Sequence, residues 1–271
     1  MKRFFNLIWR MVVRTSAHDD YALASHMALS SLTAMFPFLI FVASLAGVLG
    51  TGQLQGEVVK LLFETWPHAV SEPIAEEVNN VLGNSRPGLV TISAIVAITL
   101  ASNGVEAIRI GVNRAYGLVE TRSFWLCRLE SLLFVFVASL ALVTLALLVV
   151  LWPVMWQAAI SFAPFLEPLA PIIQIARYGI TLLVLGSAIM LVHIFLVASS
   201  PPLRQIWPGA LLTLALWLVG GGVFSIYITD FNTYSKLYAG LGSVFAALFF
   251  LWLVAIAFLL GAEFNAALAE K

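Results

Sequence analysis

The sequence predicts an all-α integral membrane protein, a single domain over residues 1–271 built on six transmembrane helices with both termini in the cytoplasm. Three observations carry that prediction. First, the chain is 61% apolar and 10% charged, with a mean hydropathy of +0.99, whereas soluble domains are about half apolar and a quarter charged. Second, six windows hold no Asp, Glu, Lys or Arg: 22–56, 87–105, 131–166, 178–203, 205–229 and 237–262. A helix needs about 20 apolar residues to cross the hydrocarbon core, a length the second window barely reaches. Third, the apolar runs are continuous rather than alternating, which points to helices and excludes a transmembrane β-barrel.

Orientation follows from the basic residues, which collect on the cytoplasmic side near the ends of spans. Ten fall on one face: Lys2, Arg3, Arg10 and Arg14, then Arg109, Arg114, Arg122 and Arg128, then Arg204, and finally Lys271. The other face receives Lys60, Arg86, Arg177 and Lys236, beside Glu57, Glu64, Glu72, Glu76 and Glu77. A formal net charge of zero conceals this asymmetry.

The elements are expected in the following order. Residues 1–18 are basic and carry Phe4, Phe5, Ile8, Trp9 and Val12, which suits a short amphipathic helix in the anionic cytoplasmic interface. Arg10 breaks the apolar stretch and no small-residue cleavage site follows, so a signal peptide is not expected. The spans are expected near 21–49, 87–116, 129–152, 170–198, 207–229 and 239–268. Between the first two, residues 50–86 should form two short amphipathic helices in a periplasmic loop, separated by Pro67 and Pro73.

Span one opens with Ala24, Ser25, Ala28, Ser30, Ser31 and Thr33, small or hydroxyl residues that let helices approach closely. Pro37 removes a helix hydrogen bond at mid-span and can kink it. Two readings stand: tight packing, or a kinked polar wall of a cavity in which His26 and Ser31 take part. In span five, Pro208 suits the first turn, while Gly220, Gly221 and Gly222 weaken the helix at mid-membrane. A close crossing or a local break at a transport site would each explain that run. Asp230, Asn232, Tyr234 and Lys236 are expected in a polar outer loop. Span six has Gly242 and Ala246 in small-xxx-small spacing and, near its inner end, Gly261, Glu263 and Asn265.

The densest polar stretch is "TLASNGVEAIRIGVNRAYG" at 99–117. At 100° per residue, Ser102, Asn103, Glu106, Arg109 and Asn113 share an arc of roughly 120°, and Glu106 and Arg109 can pair along one face. The stripe is either a wet extension beyond a span ending near Val105, or part of a helix reaching Tyr116 that meets Glu263 and Asn265 in a polar cavity.

Soluble chemistry is not advertised. Cys127 stands alone, and His18, His26, His68 and His193 have no metal-ligand spacing. No phosphate loop occurs, so no cofactor or metal is expected. A neutral chain whose basic residues are already needed for orientation offers nothing for RNA, so no nucleic-acid partner is expected.

Several motifs resemble the YihY/BrkB family of bacterial inner-membrane proteins, whose early members were mislabelled ribonuclease BN. They are Ser31, Phe36 and Pro37 in span one; N-x-x-Y-G at Asn113, Tyr116 and Gly117; P-G-A at 208–210; Trp252; and L-G-A-E-x-N at 260–265. The outer turn "YAGLG" at 238–242 departs from that pattern by the insertion of Ala239. The resemblance implies six helices with cytoplasmic ends, an inner-membrane location, and links to virulence and envelope lipid traffic. Two functions are expected from different classes. One is a transporter or flippase-like protein for a lipid or other amphipathic envelope substrate. The other is a non-transporting scaffold or regulator, for which homo-oligomers are allowed. Membrane lipids are the expected partners, and no enzyme activity is expected.

Overall fold

The computed structural model describes residues 2–49, 87–146, 152–199, 201–235 and 241–269. Among them no strand occurs. The helices are α1 (Lys2–Ala17), α2 (Asp20–Leu49), α3 (Pro87–Ala115), α4 (Phe124–Ala146), α5 (Trp152–Phe162), a 3₁₀ segment (Pro164–Leu169), α6 (Ala170–Phe195), α7 (Leu203–Ser235) and α8 (Leu241–Ala269). Four stretches are long and apolar enough to cross a membrane: Ala94–Ala115, Phe165–Phe195, Leu203–Tyr227 and Val244–Ala269. The first and third expected spans fall on α2 and α4, parts of which have side chains outside the described residues. The two helices expected in 50–86 lie outside the described residues altogether.

Some boundaries differ from those the sequence suggests. Leu203 begins α7, so Pro208 sits inside the helix rather than in its first turn. The same helix continues to Ser235, through positions expected in a loop. Backbone propensity at a polar helix end is a weak guide, because a helix can extend past the hydrocarbon while its carbonyls remain bonded. α2 remains helical through Pro37. Helix α3 does not stop at Val105 but reaches Ala115. Its stop is built into the sequence: Gly117 takes φ +65°, its N–H donates to Arg114 O at 2.9 Å, and Leu118 N–H donates to Asn113 O at 2.8 Å. That is the double hydrogen bond of a Schellman end, which glycine allows at no steric cost.

The chain gathers into two compact units. The first comprises Met1–His18, Val112–Ala215 and Leu260–Lys271. In it α4 packs on α6, and the 3₁₀ segment packs on α5 and α6. The second comprises Asp19–Gly111 and Leu216–Leu259. Its core takes Leu23, Ala24, Met27, Ala28 and Leu32 from α2, Ala97, Val105 and Ala107 from α3, and residues 255–259 from α8. Trp252 stacks on Tyr21 and Phe249 and donates Nε1–H to Tyr21 O at 3.3 Å. Trp217 donates likewise to Val254 O at 2.9 Å, so both half-buried indoles satisfy their only donor.

Candidate functional site

In the second unit, the small residues opening α2 divide by chemistry. Ala24 and Ala28 are buried, whereas Ser25, His26, Ser31 and Thr33 are exposed. The Ser25 hydroxyl donates to Tyr21 O at 2.9 Å and that of Thr33 to Leu29 O at 2.9 Å. Hydroxyls bonded to their own preceding turn do not reach across an interface; the close packing here is made by alanine.

Helix α3 carries the ionic pair. Arg109 Nη1 donates to Glu106 Oε2, one turn away. Arg109 is 1% exposed, whereas the Glu106 side chain keeps 38% of its surface. Ser102 is buried and donates to Thr99 O at 3.0 Å. Asn103, Ile110 and Arg114 are exposed along one strip, so the polar arc straddles the edge between a buried side and a surface strip. The buried cation and its surface-reaching carboxylate mark that edge.

In the first unit, Glu263 of α8 is fully buried. It accepts from Arg14 Nε at 2.7 Å and meets His18 Nδ1, the first from the last turn of α1 and the second from the residue just past its end. Arg14 Nη2 also donates to Ala115 O at 2.7 Å, one of the carbonyls left over at the end of α3. Arg114 Nη1 returns the link by donating to His18 O at 3.2 Å. A buried carboxylate demands such partners, because an unpaired charge out of water is expensive.

Two residues further on, Asn265 clamps the start of α7. Its Oδ1 accepts from Gly209 N–H at 2.6 Å, and its Nδ2 donates to Ile206 O at 2.9 Å. Pro208 has no N–H and its ring disturbs the turn before it, and the Asn265 amide, with one donor and one acceptor side, matches the pair of backbone groups flanking it. Gly209 and Gly261 make this crossing possible. A Cβ on Gly209 would collide with Gly261 O and stand 2.5 Å from the Asn265 side chain; one on Gly261 would meet Thr213 Oγ1 and stand 2.6 Å from Gly209 O. At Gly220, Gly221 and Gly222 an added Cβ meets no described atom within 4 Å. Gly242 and Pro37 have side-chain surroundings outside the described residues.

Asn113, also buried, is spent on a loop. Its Oδ1 accepts from Ala198 N–H at 2.7 Å, and its Nδ2 donates to Glu120 Oε2 at 3.2 Å. Arg122 grips both Glu120 oxygens, at 2.8 and 2.7 Å, and Glu130 at 2.9 Å. Its other donors reach Phe195 O and Leu196 O, each at 3.0 Å, the orphan carbonyls at the end of α6. The Glu120 hydrogen bond foremost, with the charge of Glu130 added, raises the Arg122 pKa against the opposing effect of desolvation. A permanent cation therefore caps the negative end of that helix dipole.

Glu263, Asn265, Asn113, Glu106, Arg109 and Gly261 stand out in the sequence, whereas nothing in it marks Arg14, His18, Arg122, Gly209 or Thr213 as their neighbours. The four-residue spacing of Arg14 and His18 on one side of α1 was the available signal. Their acceptor lies 249 and 245 residues away, beyond any local pattern.

Described residues that form helices and no strand, with membrane-length apolar helices and paired charges, define an integral membrane protein. It belongs to the family described as Virulence factor BrkB, whose profile matches residues 11–271. The chain is similar to a Bacillus subtilis (strain 168) protein, YfkH, named as ribonuclease-like, at 27% identity over 95% of this chain and 93% of the relative. It is also similar to a UPF0761 membrane protein of Pseudoalteromonas atlantica, at 25% identity over 95% of this chain and 84% of that protein. No solved structure matches it significantly.

Proposed function

We propose that this chain is a six-span protein of the bacterial inner membrane, with both termini cytoplasmic, that moves a lipid or other amphipathic envelope component across the bilayer. One observation carries the reading: within a membrane-length helix, a buried Arg109 is paired with a Glu106 that reaches the surface. Ionisable residues at such depth are costly and commonly line the path of a polar or charged cargo. A guanidinium also suits a phosphate or carboxylate headgroup, which it can grip with two parallel donors. Glu106 then acts as the resident anion that the headgroup displaces, so the buried cation is never left alone. No phosphate-binding loop is present in the sequence, and movement is driven by a gradient, by protons, or runs downhill.

The second reading, a non-transporting scaffold, draws on a different observation. Glu263 and Asn265 spend their hydrogen bonds on Arg14, His18, Ile206 and Gly209, which locks helices together without needing cargo. The ribonuclease-like name of the Bacillus relative does not extend to this chain in our reading, because balanced charge and scattered histidines suit neither RNA binding nor its hydrolysis.

Purified protein in vesicles, assayed with fluorescent lipids and with soluble solutes, separates the two. The transport reading expects protein-dependent lipid movement that falls at least several-fold in Glu106→Gln. Absence of any movement by the wild-type protein favours the scaffold; equal movement by the variant removes Glu106 from the path while leaving transport in place.

A further inference from the structure

Helix α1 has two faces of opposite character. Leu7, Met11, Arg14, Thr15 and His18 fall within an arc of about 100° at 3.6 residues per turn, and all five are buried or half-buried. Thr15 closes on Met11 O at 2.9 Å, while Arg14 and His18 hold Glu263. Opposite them lie Phe5, Ile8, Trp9, Val12 and Val13, all exposed, with Phe5 at 70% and Trp9 at 63%. Residues 1–18 contain four basic side chains and no carboxylate, and Arg10 is exposed beside the apolar face.

We propose that this outward face is a docking surface for a leaflet rich in anionic headgroups, and that the grip of Arg14 and His18 on Glu263 sets the rotation that presents it. The occupant follows from chemistry. A face of aromatic and branched residues with Arg10 exposed beside it, on a segment that holds no carboxylate, suits an interface where acyl chains meet negative phosphates. A second copy of the same face would instead bring like charges together. The inference requires membrane residence and is independent of whether the protein moves cargo, so failure of the transport assay leaves it standing.

The test uses the full-length protein in nanodiscs, with a nitroxide placed singly along α1 (Phe5→Cys, Leu7→Cys, Trp9→Cys, Met11→Cys, Val13→Cys); Cys127 is buried. In discs containing anionic phosphatidylglycerol, labels at 5, 9 and 13 should collide with oxygen far more than with a water-soluble nickel complex. Labels at 7 and 11 should be shielded from both. Arg10→Glu should shift the docked population towards solvent by about fivefold per unit of charge changed, as expected for about 1 kcal/mol per basic residue near a charged leaflet. Discs of neutral phosphatidylcholine should shift it the same way. Glu263→Gln should blur the contrast between the two sets of positions. Water-accessible labels at 9 and 13 in anionic discs would overturn the proposal. So would spin–spin coupling at position 9 that disappears on dilution with unlabelled protein, which would assign the face to a second copy.

Discussion

Glu263 has no exposed surface and is held by Arg14 and His18. Replacing it with Gln keeps the shape but removes the charge that Arg14, itself 18% exposed, is paired with, leaving the bond from Arg14 to Ala115 O in place. Breaking a buried pair this way costs about 3–5 kcal/mol, and the lower end applies here because Arg14 retains some water. Thermal unfolding in detergent should register that loss, and the Arg14→Met, Glu263→Gln double variant should lose less than the two single changes added together. Glycine supplies a second contrast. Gly261→Ala and Gly209→Ala force a methyl group into backbone and should lower stability by about 1–3 kcal/mol. Gly221→Ala meets no described atom within 4 Å and should be neutral or stabilising by up to about 1 kcal/mol. Equal losses at Gly209 and Gly221 would contradict the close crossing drawn between α7 and α8.

At the scale of elements, the ends of helices are secured by side chains distant in sequence. Arg122 caps α6, Asn265 bridges the turn around Pro208 in α7, and Arg14 takes a leftover carbonyl of α3. Asn265→Leu leaves a buried N–H and a buried carbonyl unmatched, at about 1–3 kcal/mol each. Hydrogen exchange at Gly209 and its neighbours should rise selectively, with little change at Ile189 in α6; uniform acceleration would indicate general loosening instead. The stop of α3 was one of two ends left open by the sequence, the other near Val105, and the left-handed φ of Gly117 fixes which one holds. The start of α7 was not legible. A proline usually marks a first turn, whereas here five helical residues precede it and Asn265 of α8 bonds the backbone on either side. In α2, similarly, composition alone could not tell the buried alanines from the exposed hydroxyls.

For the whole molecule, the membrane makes helices legible, since a long continuous apolar run in lipid can bond its backbone internally as a helix. The polar partners stay hidden because they join residues hundreds of positions apart, as Arg14 and Glu263 are. The polar arc of α3 was visible in its spacing, but its division into a buried Arg109 and a surface-reaching Glu106 depends on packing. Topology provides a separate check of the proposed orientation. Cysteines placed at Ser16 and at Thr121, both exposed, should react with an impermeant thiol reagent only from the cytoplasmic side of sealed vesicles. Labelling of either from the periplasmic side contradicts the cytoplasmic assignment of that segment. The most direct test of the central claim is the movement of a headgroup-labelled phospholipid in vesicles that each hold the protein, followed by a membrane-impermeant quencher. Transport predicts that wild-type protein exposes the inner-leaflet pool to the quencher, with Gly221→Ala matching it and Glu106→Gln several-fold slower. An inner-leaflet pool as protected as in protein-free vesicles, repeated across headgroups and under an imposed proton gradient, would contradict it.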